Sequence, residues 1–130
     1  MTAASSKLSG MPVDLIRVLI VDDEEAHAQA VAESLERAGY SCATAPTGAE
    51  GAKRIENEEF DIIITDLFMN DVDGLAILKK AKEELPDVEV VMISGHGEIK
   101  DAVASMQQGA YTYLTKPLDI HELRAVIDKA

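Results

Sequence analysis

Basic residues are scarce in this chain: 12 Lys and Arg stand against 24 Asp and Glu in 130 residues, a formal net charge of −12. Holding nucleic acid by charge neutralisation needs clustered Lys and Arg, and an anionic membrane surface repels so acidic a domain. Neither is expected as a direct ligand. Cysteine is almost absent. The single Cys42 cannot close an internal disulfide and is too little sulfur for a Cys-based metal site, so its expected place is that of a small buried hydrophobe. No apolar run reaches the roughly 18 residues of a membrane span. The Ser/Ala-rich start, Met1 to Gly10, lacks the apolar stretch of a signal peptide. A cytoplasmic, reducing compartment follows as the expectation. Gly-rich phosphate loops of the G-x-G-x-x-G or P-loop kind are also missing, and Gly95-His96-Gly97 is too short to serve as one.

What is present is an alternation of two periods. Arg17 to Asp22 is a short continuous apolar run closed by an acid, the mark of a strand buried on both faces. Asp23 is placed to cap a helix whose first turn carries Glu24 and Glu25 and whose apolar face is Ala28, Val31, Ala32, Leu35 and Ala38, stopped by Gly39. Ser41 to Ala45 is a weaker strand, and Thr47 with Glu50 is a capping box opening a helix through about Glu58. The alternation continues with strands at Phe60 to Thr65, Val88 to Ser94 and Tyr111 to Thr115. Helices are expected at Gly74 to Leu85, from Ile99 to the stop at Gly109, and from Leu118 to about Lys129. In the fourth helix Ile99, Ala102, Val103 and Met106 fall at helical spacing. Met1 to Val13 reads as a disordered leader and 14–130 as one domain. Five β–α units predict an α/β, flavodoxin-like, doubly wound parallel sheet of five strands in the order 2-1-3-4-5 with five helices.

In such sheets ligands sit beyond the carboxyl ends of the strands, at the point where the winding reverses. The residues there are Asp22 and Asp23, Asp66, Ser94 and Lys116, all polar. Carboxylates about 4 Å apart repel by roughly 4 kcal/mol per pair at an effective dielectric of 20. Asp22, Asp23 and Asp66 therefore call for a cation, and an open, oxygen-only cluster suits Mg²⁺, which takes one or two carboxylates and keeps several waters. The loop Asp22-Asp23-Glu24-Glu25 repels the phosphate that an FMN-binding protein of this fold would seat there. His27 and His121 read as surface residues, since one His beside Glu24 makes no metal site, and Met69 and Met92 read as core filler.

The set Val21-Asp22-Asp23, Asp61 to Met69, Asp73-Gly74, Met92 to Gly97 and Gly109 to Pro117 resembles the receiver domain of two-component response regulators. The stretches at 94–97 and 109–114 are most similar to receivers of enhancer-binding transcription activators of the nitrogen-regulation type. The resemblance implies that Asp66 is the phosphoacceptor, taking a phosphoryl group from a sensor histidine kinase, and that the domain catalyses its own phosphorylation and dephosphorylation. It further implies Mg²⁺ on Asp23, Asp66 and the backbone carbonyl of Phe68, with Asp22 holding a metal water. Lys116 and Ser94 would contact the phosphoryl oxygens, Tyr113 would be the switch aromatic, and the Lys116–Pro117 bond would be cis. The same family suggests a homodimer through the face of the fourth helix, fifth strand and fifth helix, serving a transcriptional output. A free-standing single-domain receiver is the alternative. A haloacid-dehalogenase type phosphohydrolase wants a second Asp where Phe68 stands, and a degenerate receiver would not keep the whole acceptor set. One departure is Asn70, where the family usually has Pro, which implies a looser loop from Met69 to Asp73. Phe68 and His96 are the side chains expected to control water at an acyl phosphate on Asp66.

Overall fold

The computed structural model describes residues 16–69, 71–95, 98–116 and 118–129. The leader, Asn70, His96 and the Lys116–Pro117 bond, all singled out above, lie outside or reach outside those residues. The chain runs β1 (Arg17–Val21), α1 (Glu25–Arg37), β2 (Ser41–Ala45), α2 (Gly48–Asn57), β3 (Ile62–Asp66), α3 (Gly74–Glu84), β4 (Glu89–Ser94), α4 (Ile99–Gln107), β5 (Thr112–Thr115) and α5 (Ile120–Lys129). The five strands form one parallel sheet in the order β2-β1-β3-β4-β5, as the alternation predicts.

Side chains alternate across each strand, and the alternation divides the core in two. On one face Val18, Ile20, Ile62, Ile64, Val91 and Ile93 pack against α1 and α5. On the other, Leu19, Val21, Ile63, Val90 and Met92 pack against α2 and α3. This two-sided burial is why the strands read as unbroken apolar runs. Gly39 and Gly109 end α1 and α4 at φ values of 103° and 102°, a region that favours glycine. Cys42 is half-buried with a free thiol, and burial pushes its pKa up to about 12, in keeping with an inert packing role.

Several element ends differ from expectation for identifiable reasons. β1 stops at Val21 and β3 extends through Asp66, so the acceptor candidate is the last strand residue rather than the first loop residue. The cap residue of α1 is Glu24, not Asp23. Here the side chain of Asp22 accepts from the Glu24 amide at 2.9 Å, which fixes the turn one residue later. At α5 the Asp119 carboxylate accepts from the amides of His121 (2.8 Å) and Glu122 (3.3 Å), so the helix starts at Ile120 and not at Leu118. Thr47 caps α2 through the Glu50 amide at 3.0 Å as its capping box predicts. The fourth helix forms, but its apolar stripe is not buried: Ile99 is 81%, Val103 47% and Met106 48% exposed, and Ser105 is the buried residue of α4.

Two close approaches shape the loop after β3. A Cβ on Gly74 would lie 2.5 Å from the Asp66 carbonyl oxygen, so α3 starts hard against the end of β3. One on Gly48 would lie 2.7 Å from Cβ of Val72, which brings that loop onto the start of α2. There the Asp71 carboxylate accepts from the Gly48 amide at 3.0 Å and the Ala49 amide at 2.9 Å. The amides of Ala49 and Gly48 hold the Asp71 carboxyl below the usual carboxylate range. Asp71 thus ties its own part of the loop to the start of α2.

Candidate functional site

At the carboxyl end of the sheet, two strands deliver three acids to one place. β1 hands over to Asp22 and Asp23, and β3 ends on Asp66. One carboxylate oxygen from each of the three lies within 4.8 Å of the others. Asp22 and Asp66 are 3% and 6% exposed, while Asp23 is partly exposed at the mouth. The fold holds these charges out of water where their mutual repulsion is least screened.

Lys116, just past β5, answers part of that charge. Its Nζ donates to Asp66 Oδ2 at 2.9 Å and to Glu24 Oε1 at 3.0 Å. The Lys116 amide donates to the Ser94 carbonyl at 2.8 Å, which fixes the base of the lysine to the end of β4. Burial works to lower the Lys116 pKa, but the hydrogen bonds to Asp66 and Glu24 and the field of Asp66 and Asp22 outweigh it, leaving it raised. For Asp66 the balance falls the other way. Burial raises its pKa, Lys116 and the Phe68 amide pull it down, the neighbouring Asp22 adds to the rise, and the net direction is upward.

The remaining expected residues fall around this core. Ser94 is fully buried at the end of β4. Phe68, two residues past Asp66, is 44% exposed beside the pocket mouth. Tyr113 on β5 is half-buried against the α2–α3 side of the core, and its hydroxyl is buried without a hydrogen-bond partner among the described residues. Met92 is fully buried and Met69 packs against the same cluster, both as filler.

Two residues of the pocket were not foreseen in these roles. Glu24 shares Lys116 with Asp66. His27, expected on the surface, is half-buried on the first turn of α1 with Nδ1 2.5 Å from Asp22 Oδ2. Asp22, Glu24 and His27 thereby bring three ligand atoms within 4.8 Å, so the His beside Glu24 does join a group capable of holding a metal. The sequence signal was the five-residue step from Asp22 to His27, which leads from a strand end onto the facing turn of the next helix.

Carboxylates outnumber cations in this pocket, and the set Asp22, Asp23 and Asp66 offers only hard oxygen donors. That donor chemistry fits a divalent ion such as Mg²⁺.

Residues 18–128 match the response regulator receiver domain family. Over 113 residues the chain is 38% identical to the transcriptional regulatory protein GlrR of Escherichia coli (strain K12), covering 87% of this chain and 26% of that protein. It is 35% identical over 113 residues to the DNA-binding transcriptional regulator NtrC of the same organism, covering 87% of this chain and 24% of that protein. It thus spans about a quarter of the length of these relatives. In three dimensions it is similar to the solution structure of the beryllofluoride-activated NtrC4 receiver domain dimer, with a TM-score of 0.82 and 38% identity over 87% of this chain and 93% of that one. No helix among the described residues is long and apolar enough to cross a membrane. With its sheet order, its acidic strand-end pocket and these matches in agreement, the chain belongs to the response regulator receiver domains of two-component systems, with NtrC-type transcriptional regulators among its relatives.

Proposed function

We propose that this domain is a Mg²⁺-dependent phosphoacceptor that takes a phosphoryl group from a phosphohistidine of a sensor histidine kinase onto Asp66. The observation that carries this reading is the Lys116 ammonium 2.9 Å from a buried Asp66 carboxylate at the edge of an acidic cluster. An Asp66 oxygen attacks phosphorus in line, the P–N bond to the kinase histidine breaks, and an acyl phosphate forms. Asp66 sits on a strand end held from both sides, which supplies the placement that phosphoryl transfer needs. Asp22, Asp23, Asp66 and the Phe68 carbonyl are the groups proposed to hold Mg²⁺. When bound, the ion supplies positive charge to the phosphoryl oxygens. Lys116 turns from Asp66 Oδ2 to a phosphoryl oxygen, and the Ser94 hydroxyl donates to another. The proposed setting is the cytoplasm, and the proposed output is transcriptional control by a longer protein.

Incubation with acetyl phosphate and Mg²⁺, followed by intact mass measurement, tests the reading. Gain of one phosphoryl group supports it. Turnover of phosphate esters would point to a phosphohydrolase, and no reaction to a binding module. Mg²⁺ should also raise the melting temperature, because the folded cluster binds it and the unfolded chain does not; an unchanged melting temperature at millimolar Mg²⁺ counts against the metal assignment.

The exposed stripe of α4 gives the output a place. Ile99, Val103 and Met106 follow one another at helical spacing, with the exposed ring of Tyr111 preceding β5. An uncovered apolar stripe of this kind marks an association surface. We assign it to a homodimer through the α4–β5–α5 face, linked to the acceptor by Ser94 and Tyr113. Phosphorylation is expected to shift self-association, and Val103→Glu to abolish the shift while Asp66 is still phosphorylated. Identical sedimentation of both forms, with unchanged hydrogen exchange across 94–127, would refute the link.

Phe68 bears on the lifetime of the acyl phosphate. Its ring offers no hydrogen bond to a water lined up behind phosphorus, and it is exposed next to Asp66. Phe68→Ala is expected to speed phosphate loss severalfold at constant pH and Mg²⁺. An unchanged or slower rate would mean that the ring does not guard that approach.

A further inference from the structure

Asp22 is almost entirely buried, and both of its oxygens are held. Oδ1 accepts from the Glu24 amide at 2.9 Å, and Oδ2 is met by His27 Nδ1 at 2.5 Å. The first of these bonds comes from the loop that Asp22 itself begins. The second comes from the first turn of α1, a helix locked to the sheet by Ala28, Val31 and Leu35 in the core. Asp23 and Asp66 both press on Asp22 with like charge, so a short carboxylate left to itself would swing away from the cluster. His27 opposes that swing from a rigid element.

We infer that His27 is a positioning residue for the cation pocket, holding Asp22 in the orientation that an incoming divalent ion requires. The inference rests on the Mg²⁺ reading above and extends it to a residue outside the acceptor set. Carboxylate ligands are themselves hydrogen-bonded in metal sites, and loss of such a partner typically weakens metal binding by about 10–100-fold. The contact that defines His27 here is with Asp22. Its effect should therefore appear in ion affinity and vanish when the ion is saturating.

The test uses the intact chain, with Mg²⁺ titrated calorimetrically into wild type, His27→Ala and His27→Asn in the same buffer. The Asn side chain places its amide nitrogen at the same branch position as Nδ1, so it keeps the donor without the ring. His27→Ala should bind Mg²⁺ at least about tenfold more weakly, and His27→Asn should recover most of the loss. Phosphorylation by acetyl phosphate should slow in His27→Ala at limiting Mg²⁺ and return to near the wild-type rate at saturation. Equal Mg²⁺ affinity in wild type and His27→Ala overturns the inference and leaves the Mg²⁺ reading standing. Equal weakness of the Ala and Asn variants overturns it too, because the ring would then matter for packing alone. Failure of the wild type to bind Mg²⁺ at all fells the metal reading and this inference together.

Discussion

Asp66→Asn is expected to take up no phosphoryl group from acetyl phosphate or from a kinase, while keeping its fold and gaining stability. An amide is nearly isosteric with the carboxylate, but its oxygen is a poor nucleophile, so the acyl phosphate cannot form there. The gain in stability follows from the balance at Asp66. Burial, aided by Asp22, raises its pKa by more than Lys116 and the Phe68 amide lower it. The ionised form is thus a net cost to the folded state. The sign with pH is definite. Between the unfolded and folded pKa values the native state binds more protons than the unfolded one, so this group's contribution falls as pH rises through that window. It stays unfavourable above it and is relieved on acidification. At neutral pH without Mg²⁺ the Asn variant should be more stable by about 1 kcal/mol. Full phosphorylation of this variant by mass would remove Asp66 from the acceptor role. A lower melting temperature than wild type would show instead that the Lys116 pair outweighs burial.

The parts of this molecule that were legible in its sequence are those set by local chemistry or by burial on both faces. Ile62-Ile63-Ile64 could only be a strand with core on either side, and Val90, Val91 and Met92 repeat the pattern. Given the strand order, the acids and Lys116 had to meet at one end. Thr47 and Gly39 worked as punctuation because a cap oxygen and a positive φ are properties of single residues. What stayed hidden depends on contacts between elements. Asp23 is the expected cap when the segment is read alone, and the start moved to Glu24 when the Asp22 oxygen took the Glu24 amide. The apolar spacing of α4 announces a stripe but is silent on whether it is covered, and among the described residues Ile99, Val103 and Met106 stay exposed. Asp71 joins the site's surroundings through bonds to the start of α2, partners more than twenty residues away that no period in the sequence connects to it.

Lys116→Met should cost the most stability of the substitutions considered, and the loss should be one that Mg²⁺ repairs. The ammonium touches Asp66 and Glu24 directly and acts on Asp22 through its field, with its side chain 21% exposed. Removing one partner of a fully buried pair costs roughly 3–5 kcal/mol because the other charge is stranded. Partial exposure of Lys116 lowers the expectation to about 2 kcal/mol. Methionine keeps the length and apolar stem of the side chain, so packing contributes little to the loss. With Lys116 gone, burial and Asp22 act on Asp66 unopposed by the lysine, and its pKa rises further. The deficit should therefore shrink as falling pH protonates Asp66 in the folded state, and grow as pH rises. Millimolar Mg²⁺ should restore much of the melting temperature by neutralising the same carboxylates. It should not restore phosphorylation, which is expected to slow by about a hundredfold for want of one cation on the transferring group. A variant as stable as wild type in Mg²⁺-free buffer at neutral pH would show that Lys116 and Asp66 are neighbours without being partners. A stability deficit that ignores both pH and Mg²⁺ would place the role of Lys116 in packing rather than in charge.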